Sequence, residues 1–151
     1  IVNCFYYNPN KPKGKGVTVS VSVSCFVPKP FTPFQFEPQD TREEIERKQK
    51  LLLDSVKSKK IKVSYHDPDV SQLEAVLAKG DRRLCDVVYT AWQMGCKFDS
   101  WSEHFKFDVW LEAFEKCGVN PAFYANRRAE YNEILPWEHL DYMVSKEFFI
   151  L

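Results

Sequence analysis

VSVSVSCFVPKPFTPFQFEP, residues Val19 to Pro38, is the stretch on which the fold of this chain turns. Val17, Val19, Val21 and Val23 fall on one face, with Thr18, Ser20, Ser22 and Ser24 on the other. That period of two predicts a β-strand from Val17 to Phe26. One face seeks a core and the other is short and polar. In a barrel the valines would pack beneath outer helices while the hydroxyls line a lumen; in an antiparallel sheet the hydroxyl face would meet water. Pro28, Pro30, Pro33 and Pro38 then remove ladder donors and forbid a regular helix. The segment is expected to leave the sheet in extended form, pinned by burial of Phe26, Phe31, Phe34 and Phe36.

On the N-terminal side, Asn8 to Gly16 is a lysine-bearing loop of turn formers. On the C-terminal side, Thr41 and Glu44 stand at capping-box spacing and open a helix to about Ser58, with Ile45, Leu52, Leu53 and Val56 as its apolar stripe. IKVSYH, residues 61 to 66, reads as a short strand. After the turn HDPDVS, Ser71 and Glu74 form a second capping box, opening a helix that Gly80 closes. A helix from Asp81 to Met94 is expected to end at Gly95 in a left-handed cap, and one from Asp108 to Cys117 at Gly118. Beyond it the chain reads as aromatic-rich and irregular until a last helical turn that Ser145 caps. There is no internal repeat.

The 151 residues, 44% hydrophobic and 15% aromatic, suffice for one sizeable core. Twenty-one basic residues balance twenty-one acidic ones, so no global field favours nucleic acid or an anionic membrane. No apolar run approaches the roughly 20 residues a membrane helix needs. Cys4, Cys25, Cys85, Cys96 and Cys117 are an odd set without close pairs, which fits reduced thiols and a cytoplasmic setting. An opening at Ile1 without methionine and a close on KEFFIL are expected of a fragment.

Several side chains carry candidate chemistry. His66 and Asp67 beside Asp69, followed by Glu74, could coordinate a metal or move protons if folded inward; the plainer reading is a solvated turn bonded to local amides. His104 and His139 are isolated and read as hydrogen-bonded structural histidines. GDRR, Gly80 to Arg83, sets Arg82 and Arg83 at a helix start, where they could clamp a carboxylate or phosphate aided by amide donors. An internal salt bridge to Asp81, Glu74 or Asp86 is the alternative. The usual sequence motifs for nucleotide, zinc and acyl-transfer sites are absent.

SVSCFVPKPFTPFQFEPQDT, HDPDVSQLEAVLAKGDRRLCDVV, GCKFDSWSEHFKFDVWLEAF, NPAFYANR and ILPWEHLD occur in collinear order. Together they resemble the C-terminal part of a family of radical S-adenosylmethionine (SAM) proteins with an N-terminal cobalamin-binding-like domain. The resemblance covers most of the chain from Val17 onward. It implies an α/β fold, α+β as an isolated piece: the last strand or strands of a partial (β/α) barrel over residues 1–60, and a mainly helical C-terminal extension, expected to be truncated at its end, over 61–151. It also implies a [4Fe–4S] cluster and SAM in the parent protein, with cobalamin open, and a 5′-deoxyadenosyl radical that abstracts hydrogen from a substrate of unknown identity. The CxxxCxxC cluster signature does not occur in this sequence, so the ligands would belong to the N-terminal remainder of the same protein.

In that family the final strand and exit loop lie beside the adenine, which points to Ser24, Phe26 and Val27 as SAM contacts. Relatives carry histidine and tryptophan where this chain has Phe31 and Phe36, so either a family role for that histidine is missing here or both positions serve packing. Cys25 has no spaced partners and is not expected to ligate the cluster. The leading expectation is a radical SAM enzyme segment, inactive alone. A noncatalytic interaction module using the aromatic tail from Trp101 to Trp137 is the second reading, and a small hydrolase built on His66 the third.

Overall fold

A computed structural model of the chain describes residues 1–14 and 16–150. The described residues form α1 (Val2–Tyr6), β1 (Val19–Val23), α2 (Arg42–Ser55), β2 (Ile61–Tyr65), α3 (Pro68–Lys79), α4 (Leu84–Gln93), α5 (Phe107–Lys116), α6 (Pro121–Ala125) and α7 (Lys146–Ile150). The class is mixed α/β. β1 and β2 pair in parallel, Val19 opposite Ile61 through Val23 opposite Tyr65. Parallel neighbours need a crossover connection, and α2 lies within it.

This βαβ unit decides one open alternative. β1 is followed by a further parallel strand, so the antiparallel pairing fails. The pairing also joins residues on either side of the expected division at residues 60 and 61. β1 is shorter than expected because its partner has five residues, after which the chain turns into the cap of α3. The valines are half-buried and the serines exposed, as the alternation requires.

The proline-rich segment is not extended. Gln35 donates from its backbone N–H to Thr32 O and Glu37 to Phe34 O, both at 3.0 Å, which closes two successive turns. Turns fan side chains outward, so the four phenylalanines cannot share one buried face. Phe36 is 1% exposed, whereas Phe26 and Phe34 are 47% and 56% exposed and meet each other edge to face at 5.6 Å.

Helix ends follow capping chemistry. Thr41 Oγ1 accepts from the Glu44 N–H and opens α2 as expected. α3 starts four residues earlier than expected: Asp67 Oδ1 accepts from the Asp69 and Val70 amides at 2.8 and 3.4 Å, with Pro68 at the first helical position. Ser71 is instead buried in the first turn, donating to Asp67 O. α4 starts late, at Leu84, because Asp81 holds the Arg83 amide in a side-chain turn. Gly95 (φ 94°) and Gly118 (φ 64°) take left-handed caps. In both, the next amide reaches back to a helical carbonyl, Cys96 to Ala91 and Val119 to Phe114.

α3, α4, α5 and α6 enclose the main core of Leu73, Val76, Leu84, Val87, Trp110, Phe114 and Tyr124. A second cluster joins Phe36 of the proline-rich segment to Ala129, Leu135 and Trp137. Trp137 Nε1 donates to the buried Gln35 Oε1 at 2.9 Å and fixes the two strips together.

Three substitutions test the cap and the packing. Asp67→Ala is expected to lower stability by about 0.5–2 kcal/mol in urea unfolding, with Ser71→Ala costing less if Asp67 is the cap. A Cβ at Gly80 would stand 2.0 Å from Leu84 Cδ1 and 2.9 Å from the Val76 carbonyl oxygen. Gly80→Ala should therefore cost about 1–3 kcal/mol, read as a lowered denaturation midpoint; an unchanged midpoint would contradict this close approach.

Candidate functional site

Where parallel strands end and their connections diverge, a crevice opens at the C-terminal edge of the sheet. Here it is a cavity of about 240 Å³ lined by Val23, Ser24, Cys25 and Phe26 after β1, Asp40 before α2, and Ile45, Lys48, Gln49 and Leu52 from α2. Its walls are largely apolar, with a hydroxyl, a thiol, an amide and an ion pair at its margins. Lys48 Nζ meets Asp40 Oδ2 at 2.5 Å, and that bond raises the lysine above its ordinary pKa. Gln49 Nε2 donates to the His66 carbonyl at 3.0 Å, linking α2 to the end of β2. The Cys25 thiol donates to the same carbonyl at 3.6 Å.

Gln39 sets the position of this site. It is 2% exposed, and its Nε2 donates to Phe26 O and Ser71 O, each at 3.0 Å. Its backbone N–H donates to Ala125 O at 2.8 Å. Asn126 Nδ2 donates at 3.1 Å to the Gln39 and Asp40 carbonyls. The strand exit and α3 thus meet at its side chain and α6 at its backbone, at a residue that sequence reasoning missed because a glutamine between proline and aspartate reads as a solvated loop. Gln39 Oε1 is buried without a hydrogen-bond partner among the described residues.

Of the three expected adenine contacts, Ser24 and Phe26 line the cavity. Val27 does not; it packs against the main helical core. Phe31 has a left-handed backbone (φ 57°) and stacks on Tyr142 at 3.9 Å, while Phe36 is buried in the second cluster. Both phenylalanines pack.

The acidic set after β2 does not converge. Asp67 caps α3, and Glu74 pairs with Lys29 at 2.5 Å. Asp69 faces Arg42 Nη1 at 3.1 Å without hydrogen-bond alignment, and burial pushes its pKa up despite that charge. His66 is exposed. No three histidine, cysteine or acidic side chains among the described residues group as metal ligands. His139 Nδ1 lies 3.0 Å from Pro136 O, and the His104 ring sits beside Phe98. All five cysteines are free thiols.

Arg83 takes the internal pairing. Its Nε and Nη2 donate to Asp81 at 3.0 and 2.6 Å, and Tyr124 Oη donates to Asp81 Oδ1 at 3.2 Å. The guanidinium bonds hold the Asp81 carboxyl at about 2, below its usual value near 3.8. Burial and the adjacent Asp81 push Tyr124 up. The first amides of α4 are occupied too, Arg83 by Asp81 Oδ1 and Leu84 by Asp81 O, so amide donors do not assist an anion there. Arg82 makes no ion pair among the described residues.

Compared with known proteins, the chain matches no family model, and no curated protein and no solved structure gives a significant match. No helix among the described residues is long and apolar enough to cross a membrane.

The depressed Asp81 pKa makes stability pH-dependent: its contribution is present above about 4 and lost as pH falls towards 2. Acid titration of the folded chain should show this loss, and Asp81→Asn should flatten the profile between those values. Gln39→Ala removes the donor to the Phe26 carbonyl and the second donor to the Ser71 carbonyl of α3, and should cost about 1–3 kcal/mol in thermal or urea unfolding.

Proposed function

We propose that the chain is a C-terminal βαβ and helical segment of a radical SAM enzyme, with the crevice after β1 receiving the adenine of SAM. The observation that carries the reading is the parallel β1–α2–β2 unit whose C-terminal edge opens into a cavity lined by Ser24 and Phe26. The cavity fits a nucleobase in kind: apolar walls, an aromatic ring at the rim, and a few convergent polar groups. The Phe26 ring offers a stacking face, and the Ser24 hydroxyl and Gln49 amide offer hydrogen bonds to ring nitrogens. Gln39 holds the Phe26 carbonyl, so the rim keeps its place when the base enters. Val23, Ile45 and Leu52 exclude water from the base.

The [4Fe–4S] cluster would be held by cysteines outside these residues, and when bound it supplies the electron that cleaves SAM. This chain places the nucleoside and shields it. Its partners are then the N-terminal remainder of the same polypeptide and an unidentified substrate, in a cytoplasmic setting; cobalamin is a further candidate of the parent. The exposed rings of Trp92, Phe98 and Trp101 favour an interaction module as the second reading, although Trp110, Tyr124 and Trp137 of the same aromatic series are spent on the chain's own cores.

The test is anaerobic reconstitution of the full-length gene product with iron and sulfide, followed by SAM and a reductant. Visible cluster absorbance and release of 5′-deoxyadenosine are expected. Phe26→Ala should raise KM for SAM about tenfold, of the size lost with one stacking contact, while cluster absorbance stays unchanged. A full-length product that takes up no cluster would overturn the enzyme reading in favour of the interaction module.

A further inference from the structure

On the helical side of the molecule a broad groove of about 850 Å³ runs between Gly80–Arg83 and the strip Ile134, Leu135, Pro136, Glu138 and His139. A deeper pocket of about 190 Å³ adjoins it, sharing Asp81, Arg83, Ile134, Leu135 and Pro136, and reaches Lys79 and Tyr124. Three carboxylates, Asp81, Glu133 and Glu138, and four cations, Lys79, Arg82, Arg83 and Arg127, line the two, and a fifth cation, Lys146, reaches Glu138 from outside them. Asp81 pairs with Arg83 and Glu133 with Arg127, each at 2.6 Å, and Glu138 pairs with Lys146. Lys79 and Arg82 are left over.

Lys79 is the telling residue. Its side chain is 7% exposed, and its ammonium donates only to the carbonyls of Glu37 and Arg127, at 2.9 and 3.3 Å. An ammonium has three donors, so one N–H has no partner among the described residues. No carboxylate among the described residues stands within ion-pair distance of it; Glu133 and Glu37 act on it only from further off, and Arg127 opposes them. Burying an ammonium without a counter-ion is unfavourable, and burial pulls its pKa down. Arg82 is exposed and unpaired at the groove mouth, three residues further along the chain. Opposite them the strip is apolar, and Ile134 is 84% exposed.

We propose that this groove binds an organic anion, its carboxylate or phosphate head drawn to the Lys79 and Arg82 end and its apolar body laid on Ile134, Leu135 and Pro136. The head supplies the negative charge that the local ion pairs leave missing. The groove's own volume lies in the range of small-molecule sites. Arg83 and Arg127 are held by Asp81 and Glu133, so they frame the site without competing for the head. The inference rests on the helical half and is independent of the crevice after β1.

The test is a ¹H–¹⁵N NMR titration of the 151-residue chain with phenyl phosphate, benzoate, inorganic phosphate and benzyl alcohol. Saturable shifts at the amides of Lys79–Arg83 and Leu135–His139 are expected with phenyl phosphate or benzoate, and whichever binds tighter identifies the head. Benzyl alcohol should leave those amides unmoved. Arg82→Gln, an exposed change that should not disturb folding, should weaken binding about tenfold. Lys79→Met removes the buried cation at similar length and should do the same if its melting curve shows a folded chain. Absence of saturable shifts, equal shifts with benzyl alcohol, or unchanged affinity in Arg82→Gln would each overturn the proposal. Inorganic phosphate binding as tightly as phenyl phosphate would overturn the apolar seat.

Discussion

Gln39 is the constraint on which the rest of the structure depends. A parallel βαβ unit and a helical cluster share few direct contacts, and a five-residue strand pair has little surface of its own to bury. One buried primary amide spans the gap by bonding the carbonyl that follows β1 and a carbonyl in the first turn of α3. Its main chain joins α6 from the other side. Buried polar groups specify position more sharply than apolar ones, because a partner displaced by an ångström leaves a donor unsatisfied. Register between the sheet and the helices is thereby fixed by hydrogen bonds, while the apolar cores supply the bulk of the stabilisation.

The charged groups divide the same way. Surface pairs on α2, such as Arg47 with Glu44 at 2.7 Å, contribute little individually because solvent screens them. The Asp81, Arg83 and Tyr124 set does more: it occupies the first amides of α4 and orients the phenol of α6 against the helix start. Lys79 extends the pattern into the interior, tying the end of α3 to the proline-rich turns through Glu37 and to the segment after α6 through Arg127. The crevice after β1 and the groove beside Gly80–Arg83 therefore flank one hydrogen-bonded spine, one at its sheet end and one at its helix end.

How far the sequence could be read depended on whether a signal was local. The valine–serine alternation, the Thr41 cap and the two glycine caps were legible because each is set by residues within one turn of it. Asp67 was overlooked in favour of Ser71 although Asp-Pro is the stronger start signal, with an acceptor at the cap and proline at the first helical position. The same Asn-Pro pair at Asn120 and Pro121 announced α6 and went unread. Burial of the proline-rich phenylalanines was misjudged because turn geometry, not composition, decides which ring faces inward. Ser24, Phe26 and Val27 were named together as adenine contacts from the resemblance; in the fold the first two line the crevice and Val27 packs on the helical core. Gln39 and Lys79 carried no local signal: their roles arise from carbonyls tens of residues away.

The sheet has two strands, and in a parallel ladder alternate residues aim their amides and carbonyls away from the partner. Along β1 the Val19 amide and the Val23 carbonyl bond across to the β2 side, so the outward row is that of Ser20 and Ser22, without a lysine, a proline or a bulge to blunt it. Such an edge is a ready hydrogen-bonding template for another extended segment. Solubility of the chain, rather than its chemistry, is then the first property that shielding of this edge controls, and a charged side chain grafted at Ser20 or Ser22 would serve as a gatekeeper without touching either cavity.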